Sequence, residues 1–95
     1  MRISFERRGG FAGISKKKSV DTATLSAKEV QELSRLVEVA DLFKLPEEIV
    51  SSNSQGDRFQ YRVTIEDNDQ QHTVTVSETA LPENLRLLIE WLNNI

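Results

Sequence analysis

His72 is the only histidine of the 95 residues and there is no cysteine, so a metal site would have to be assembled from one imidazole and carboxylates. Protein zinc sites draw on several His or Cys ligands at defined spacing, and no HExxH arrangement is present. No metal ligand set is therefore assigned. Asp67 and Asp69 look like a paired-carboxylate motif, but they sit in "DNDQ", where Asp and Asn serve turn dihedrals better than acid–base chemistry. The serines are numerous, and none stands in the strand–turn–helix context of a nucleophile elbow. "GGFAG" at 9–13 lacks the helix that would receive a phosphate in a dinucleotide fingerprint. These residues supply no catalytic constellation and no cofactor site, and the chain is not expected to be an enzyme.

The chemistry that remains is recognition. In "FERRGGFAGISKKK", residues 5–18, a glycine-rich turn carries one aromatic, Phe11, between two basic clusters. Gly9, Gly10 and Gly13 let a backbone approach another surface closely. An aromatic on a projecting turn flanked by cations is suited to anchor a partner. The same spacing also allows Phe11 to fold back over the sheet edge, and periodicity alone leaves both placements open.

The elements that must hold this turn follow from alternation and capping signals. Ile3 and Phe5 alternate with Arg2, Ser4 and Glu6, a half-buried strand over residues 2–7. A second strand is expected from about Ala12 to Asp21. There Ile14 and Val20 share parity with Lys16 and Lys18, so either a bulge intervenes or the lysines lie at an exposed end. Ser26 and Glu29 form a capping box that opens a helix running to about Asp41. Val30, Leu33, Val37 and Ala40 make its apolar stripe, with Leu36 beside them. Pro46 closes the apolar run that follows, and "SSNSQGD" at 51–57 reads as a polar loop. Phe59, Tyr61, Val63 and Ile65 alternate cleanly in a third strand. After the turn at 67–70, His72, Val74 and Val76 continue in a fourth. Pro82 suits the first turn of a second helix, whose core stripe is Leu85, Leu88, Ile89 and Leu92, widened by Leu81, Leu87 and Trp91. The expected fold is α+β, in the order ββαββα: a four-stranded antiparallel sheet with two helices packed on one face. The opposite face, with Arg62, Thr64, Glu66, Thr73 and Thr75, is expected to be polar.

Composition bounds the setting. A chain of this length fits one domain, taken as 1–95, and 38% hydrophobic with 28% charged residues suits a soluble globular protein. No run is long enough to cross a bilayer, and the N-terminus has no apolar segment of a signal peptide. Together with the lack of cysteine, this leads to an expected cytoplasmic location. The formal net charge of −3 is unevenly spread, with +5 within residues 1–18 and −8 beyond them. A bipolar surface of this kind steers a charged partner toward one end. Phe11, Phe59 and Tyr61 on a sheet with a basic hairpin raise single-stranded nucleic acid as a partner. Overall acidity opposes it, and Phe59 and Tyr61 fall on the apolar parity that the helices are expected to cover.

"MRISFERRGGFAGI" at 1–14, "LSRLVEVADLFKLPEEI" at 33–49, "DRFQYRVTIED" at 57–67, "HTVTV" at 72–76 and "LRLLIEWL" at 85–92 resemble the emfourin family over nearly the whole chain. The family comprises small bacterial proteins that inhibit thermolysin-like (M4) metallopeptidases such as protealysin. The resemblance implies a complex with an M4 zinc metallopeptidase and no metal of the inhibitor's own; the complex is expected to be one-to-one, and no cofactor, nucleic-acid or membrane partner is expected. Within that reading the hairpin tip is the expected contact. Phe11 would enter the apolar pocket that receives the residue after the scissile bond. Gly9, Gly10, Ala12 and Gly13 would keep the tip narrow, and Arg7 and Arg8 would meet acidic groups on the rim. The loop bearing Asn53, Ser54, Gln55 and Asp57 is the secondary candidate. Ser15-Lys16-Lys17-Lys18-Ser19 departs from the expected apolar alternation. A small cytoplasmic protein-interaction module without inhibitory activity is the alternative function, with a single-stranded nucleic-acid binder ranked behind it.

Overall fold

A computed structural model describes residues 1–9, 15–49 and 59–95. β1 (Arg2–Gly9) and β2 (Ser15–Asp21) form an antiparallel pair, followed by helix α1 (Ala27–Ala40). A two-residue strand β3 (Glu48–Ile49), then β4 (Phe59–Asp67), β5 (Gln70–Ser77) and helix α2 (Glu83–Asn93) complete the order. The sheet has five strands, arranged β2-β1-β4-β5-β3. The expected four-stranded antiparallel sheet is thus corrected by one strand. β3 runs parallel to β5, with Glu48 opposite Thr75 and Ile49 opposite Val76. The Thr75 N–H donates to the Glu47 carbonyl at 2.8 Å, which extends this pairing. Two residues directly after a proline-terminated segment are too few to display alternation, so no sequence signal marks β3.

The alternation is fulfilled in the central strands. Ile3 faces Ile65 and Phe5 faces Val63 across β1 and β4, while Val63 faces Val74 across β4 and β5. These side chains join Val20, Val76, Leu33, Leu42, Leu85, Leu88, Ile89 and Leu92 in one continuous buried cluster. The other face of the sheet is polar, as expected, and there Thr64 and Thr73 share a hydrogen bond of 3.1 Å across β4 and β5.

Local chemistry sets the element ends. The Glu29 N–H donates to Ser26 Oγ at 3.2 Å, and the Ser26 N–H donates to Glu29 Oε1 at 3.0 Å, so the capping box is complete. α1 stops at Asp41, which adopts φ 54° and donates its N–H to the Glu38 carbonyl at 3.1 Å. An aspartate tolerates this left-handed cap better than most residues. Asn68 and Asp69, with φ of 49° and 67°, make the two-residue turn between β4 and β5. Positive φ at both positions matches the right-handed twist of a hairpin. Pro82 lies one position earlier than expected, as the N-cap of α2 rather than within its first turn. Leu85, Leu88, Ile89 and Leu92 are buried, but Leu87 is 41% exposed and does not widen the core stripe. Trp91 joins the two helices by donating from Nε1 to Glu32 Oε2 at 3.1 Å. No helix among the described residues is long and apolar enough to cross a membrane.

Two stability measurements check this account. Leu88 is fully buried, so Leu88→Ala is expected to lower unfolding free energy by about 2–5 kcal/mol in urea titration. Val39→Ala, at a 52% exposed position, should change it by less than about 0.5 kcal/mol. The hydrogen bonds from Ser26 hold the Glu29 carboxyl below its ordinary pKa. A folded-state pKa below the unfolded one stabilises the fold above the unfolded value and is lost as pH falls through the folded value. The stability difference between the parent protein and Glu29→Ala should therefore narrow on acidification through the carboxylate range. A constant difference would rule out the ionised cap as its source.

Candidate functional site

The sheet register brings several sequence-distant residues to one end. One rung runs Lys16–Arg7–Tyr61–Val76–Ile49, and the next runs Ser15–Arg8–Gln60–Ser77. Gly9 then lies opposite Phe59. The chain therefore leaves β1, enters β2, leaves β3 and enters β4 at this same end of the sheet. Of the expected tip residues, Arg7, Arg8 and Gly9 are described. Gly10, Phe11, Ala12 and Gly13 lie outside the described residues, as do Asn53, Ser54, Gln55 and Asp57 of the secondary loop.

Gly9 has φ 124°, a backbone region closed to residues with a Cβ and open to glycine. Arg7 shares the parity of Ile3 and Phe5, so it emerges on the helix side of the sheet. There its guanidinium carbon stands 4.9 Å from the centroid of the Phe59 ring. That distance is within the range of a cation–π contact. Phe59 is consequently not the core aromatic its alternation implied. It lies two rungs beyond Tyr61, which does pack against the core, and it is half-buried under Arg7. The Phe59 N–H donates to Glu78 Oε2 at 3.1 Å, which fixes the start of β4. Arg8 lies on the opposite face and forms an ion pair with Glu6.

β2 resolves the ambiguity about its lysines. Its pairing with β1 is continuous from Ser15 opposite Arg8 to Asp21 opposite Arg2, so no bulge falls within it. Lys18 shares the parity of Val20 and reaches the C-terminal end of α2, donating to the main-chain oxygen of Asn93 at 3.5 Å and to that of Ile95 just beyond the helix. A cation there complements the partial negative charge of a helix C-terminus. Lys16 and Lys17 are exposed. The two contacts that alternation could not reveal are Arg7 on Phe59 and Lys18 on α2. Counting rungs outward from the buried Phe5 would have signalled the first, because Arg7 and Phe59 both fall just beyond the core on its own face.

The remaining chemistry is sparse. His72 accepts or donates one hydrogen bond, at 2.7 Å between Nε2 and the Leu45 carbonyl. An open polar depression of about 550 Å³ beside it is lined by Glu47, Glu48, Arg62, Thr73 and Thr75, without the apolar walls that enclose a small apolar molecule. Among the described residues, no cluster of three or more His, Cys, Asp or Glu side chains could hold a metal ion. Hydrogen exchange distinguishes the lysine roles. Lys18→Met should accelerate amide exchange in the last turn of α2, whereas Lys16→Met should leave it unchanged. No curated protein and no solved structure matches the chain significantly. The emfourin family model matches residues 5–93, and with that coverage the chain belongs to the emfourin family, whose members are protein inhibitors of metallopeptidases.

Proposed function

We propose that this protein inhibits thermolysin-like (M4) zinc metallopeptidases, forming a one-to-one complex in which the segment between β1 and β2 blocks the active-site cleft. The observation that carries the reading is the family match across residues 5–93. The common origin of both candidate loops, at one end of the sheet, supports the choice of surface. The peptidase supplies the zinc, which polarises a substrate carbonyl and activates water. A plug that fills the cleft denies both substrate and water their positions. Phe11 is the proposed anchor in the apolar pocket that follows the scissile bond, with Gly10, Ala12 and Gly13 keeping the approach narrow.

The described residues favour a stiff base beneath that segment. Arg7 is stacked on Phe59, Arg8 is paired with Glu6, and Gly9 holds the backbone at the exit of β1. A preorganised contact loses less conformational entropy on docking and binds more tightly for its area. In this reading Arg7 and Arg8 brace the tip. The cysteine-free composition fits a reducing compartment, and the cytoplasm is the proposed location.

The test is residual activity of a thermolysin-like peptidase on a short peptide, titrated with the purified chain. Inhibition that saturates at one equivalent is expected. Phe11→Ala should raise the inhibition constant by about 30-fold or more, the effect of a buried aromatic hot spot, with the melting temperature retained. Full inhibition by Phe11→Ala would move the contact to another surface. Absence of inhibition at micromolar parent protein would favour an interaction module over an inhibitor.

A further inference from the structure

Six cations fall within residues 1–18, and four of them have partners inside the protein. Arg2 lies 3.7 Å from Asp21. Arg7 covers Phe59, Arg8 pairs with Glu6, and Lys18 caps α2. Among the described residues, Lys16 and Lys17 have neither a hydrogen-bonding side-chain partner nor an ion pair, although Glu6 stands opposite Lys17 in the register. Both are exposed, and both belong to β2, the outermost strand beside β1. Successive residues of a strand project to opposite faces. Lys16 follows the helix-side parity of Val20, and Lys17 follows the polar-face parity of Ser19 and Asp21. The two charges therefore straddle a sheet edge that no described strand pairs, at the end where Gly9 and Phe59 meet.

We infer that Lys16 and Lys17 form the electrostatic contact of this protein, receiving an acidic surface of the peptidase that approaches edge-on against β2. The inference rests on the inhibitor reading and moves the rim contact from the arginines to the lysines. Charges already satisfied within a fold gain little from a partner, whereas unpaired exposed charges attract one over a Debye length. A second copy of this chain is a poor occupant, because two β2 edges would bring lysine against lysine. Lysines on an open edge deter that pairing, and the same charges favour an acidic surface. An approach over one sheet face would engage one lysine alone, whereas an edge-on approach engages both.

The experiment measures association and dissociation rates with a thermolysin-like peptidase at low and high salt. The Lys16→Gln/Lys17→Gln double variant is expected to associate about tenfold more slowly at low salt, and its rate should converge on that of the parent at high salt. Each single variant should lose about threefold, with dissociation changed by less than about twofold. Lys28→Gln removes an exposed charge in the first turn of α1, beyond the opposite end of β2, and should retain the parental rate. Circular dichroism and melting temperature confirm that the variants are folded. A double variant that keeps the parental rate and salt slope overturns the inference while leaving the inhibitor reading intact. An equal loss in Lys28→Gln overturns it as well, by reducing the effect to net charge. A loss confined to one lysine overturns the edge-on approach. Failure of the parent protein to associate overturns the inhibitor reading, and this inference with it.

Discussion

Ile3 opposite Ile65 and Phe5 opposite Val63 form the central seam of the sheet, and a slip of one residue would turn each of these pairs toward solvent. The register of β1 against β4 thereby fixes the inner face, the helices that cover it and the polarity of the outer face. It also decides what lies beyond the core. Once Phe5 is buried, Arg7 must emerge on the same side, and Tyr61 and Phe59 must stand beside it. The Arg7–Phe59 contact at the end of the sheet is thus a consequence of core packing two residues earlier.

Much of this arrangement was legible in the sequence because its signals are local. The Ser26–Glu29 capping box, the Asn68-Asp69 turn and the clean alternation of β4 each need only a few neighbouring residues. The buried stripe of α2 is equally direct, since Leu85, Leu88, Ile89 and Leu92 recur at helical spacing. β3 was illegible for the opposite reason. Glu48 and Ile49 become a strand only by pairing with Thr75 and Val76, more than twenty residues away. Phe59 was misplaced because alternation gives the direction of a side chain but not how far the covering helices extend. Lys18 was ambiguous because its partner is a helix end supplied by the far end of the chain. Of the expected contact segment, Arg7, Arg8 and Gly9 are placed, and the anchor is the one the proposed assay tests.

The basic N-terminal segment divides its labour. Its charges looked alike in composition, but the fold uses them differently: one closes a strand pair, one stacks on an aromatic ring, one meets a carboxylate on its own strand and one completes a helix. An Arg over a ring keeps a desolvated aromatic in place without a hydrogen-bond partner, and Lys18 couples the edge strand to α2. Beyond Lys18 the chain is acidic, with Glu29, Glu32, Glu38, Glu83 and Glu90 on the helices and Glu66, Asp67 and Asp69 around the β4–β5 turn. This separation of charge gives the molecule an oriented field as well as a compact fold.

Gly9, with φ 124°, occupies backbone territory that belongs to residues of the opposite hand. An L-side chain there would strain the exit of β1, whereas a D-alanine introduced by chemical synthesis favours positive φ and restricts the unfolded chain more than glycine does. Position 9 is thus a place where mirror-image stereochemistry would restrict the exit of β1 while withdrawing a peptide bond from ordinary proteolysis, a useful property in a molecule whose proposed partner cleaves polypeptides.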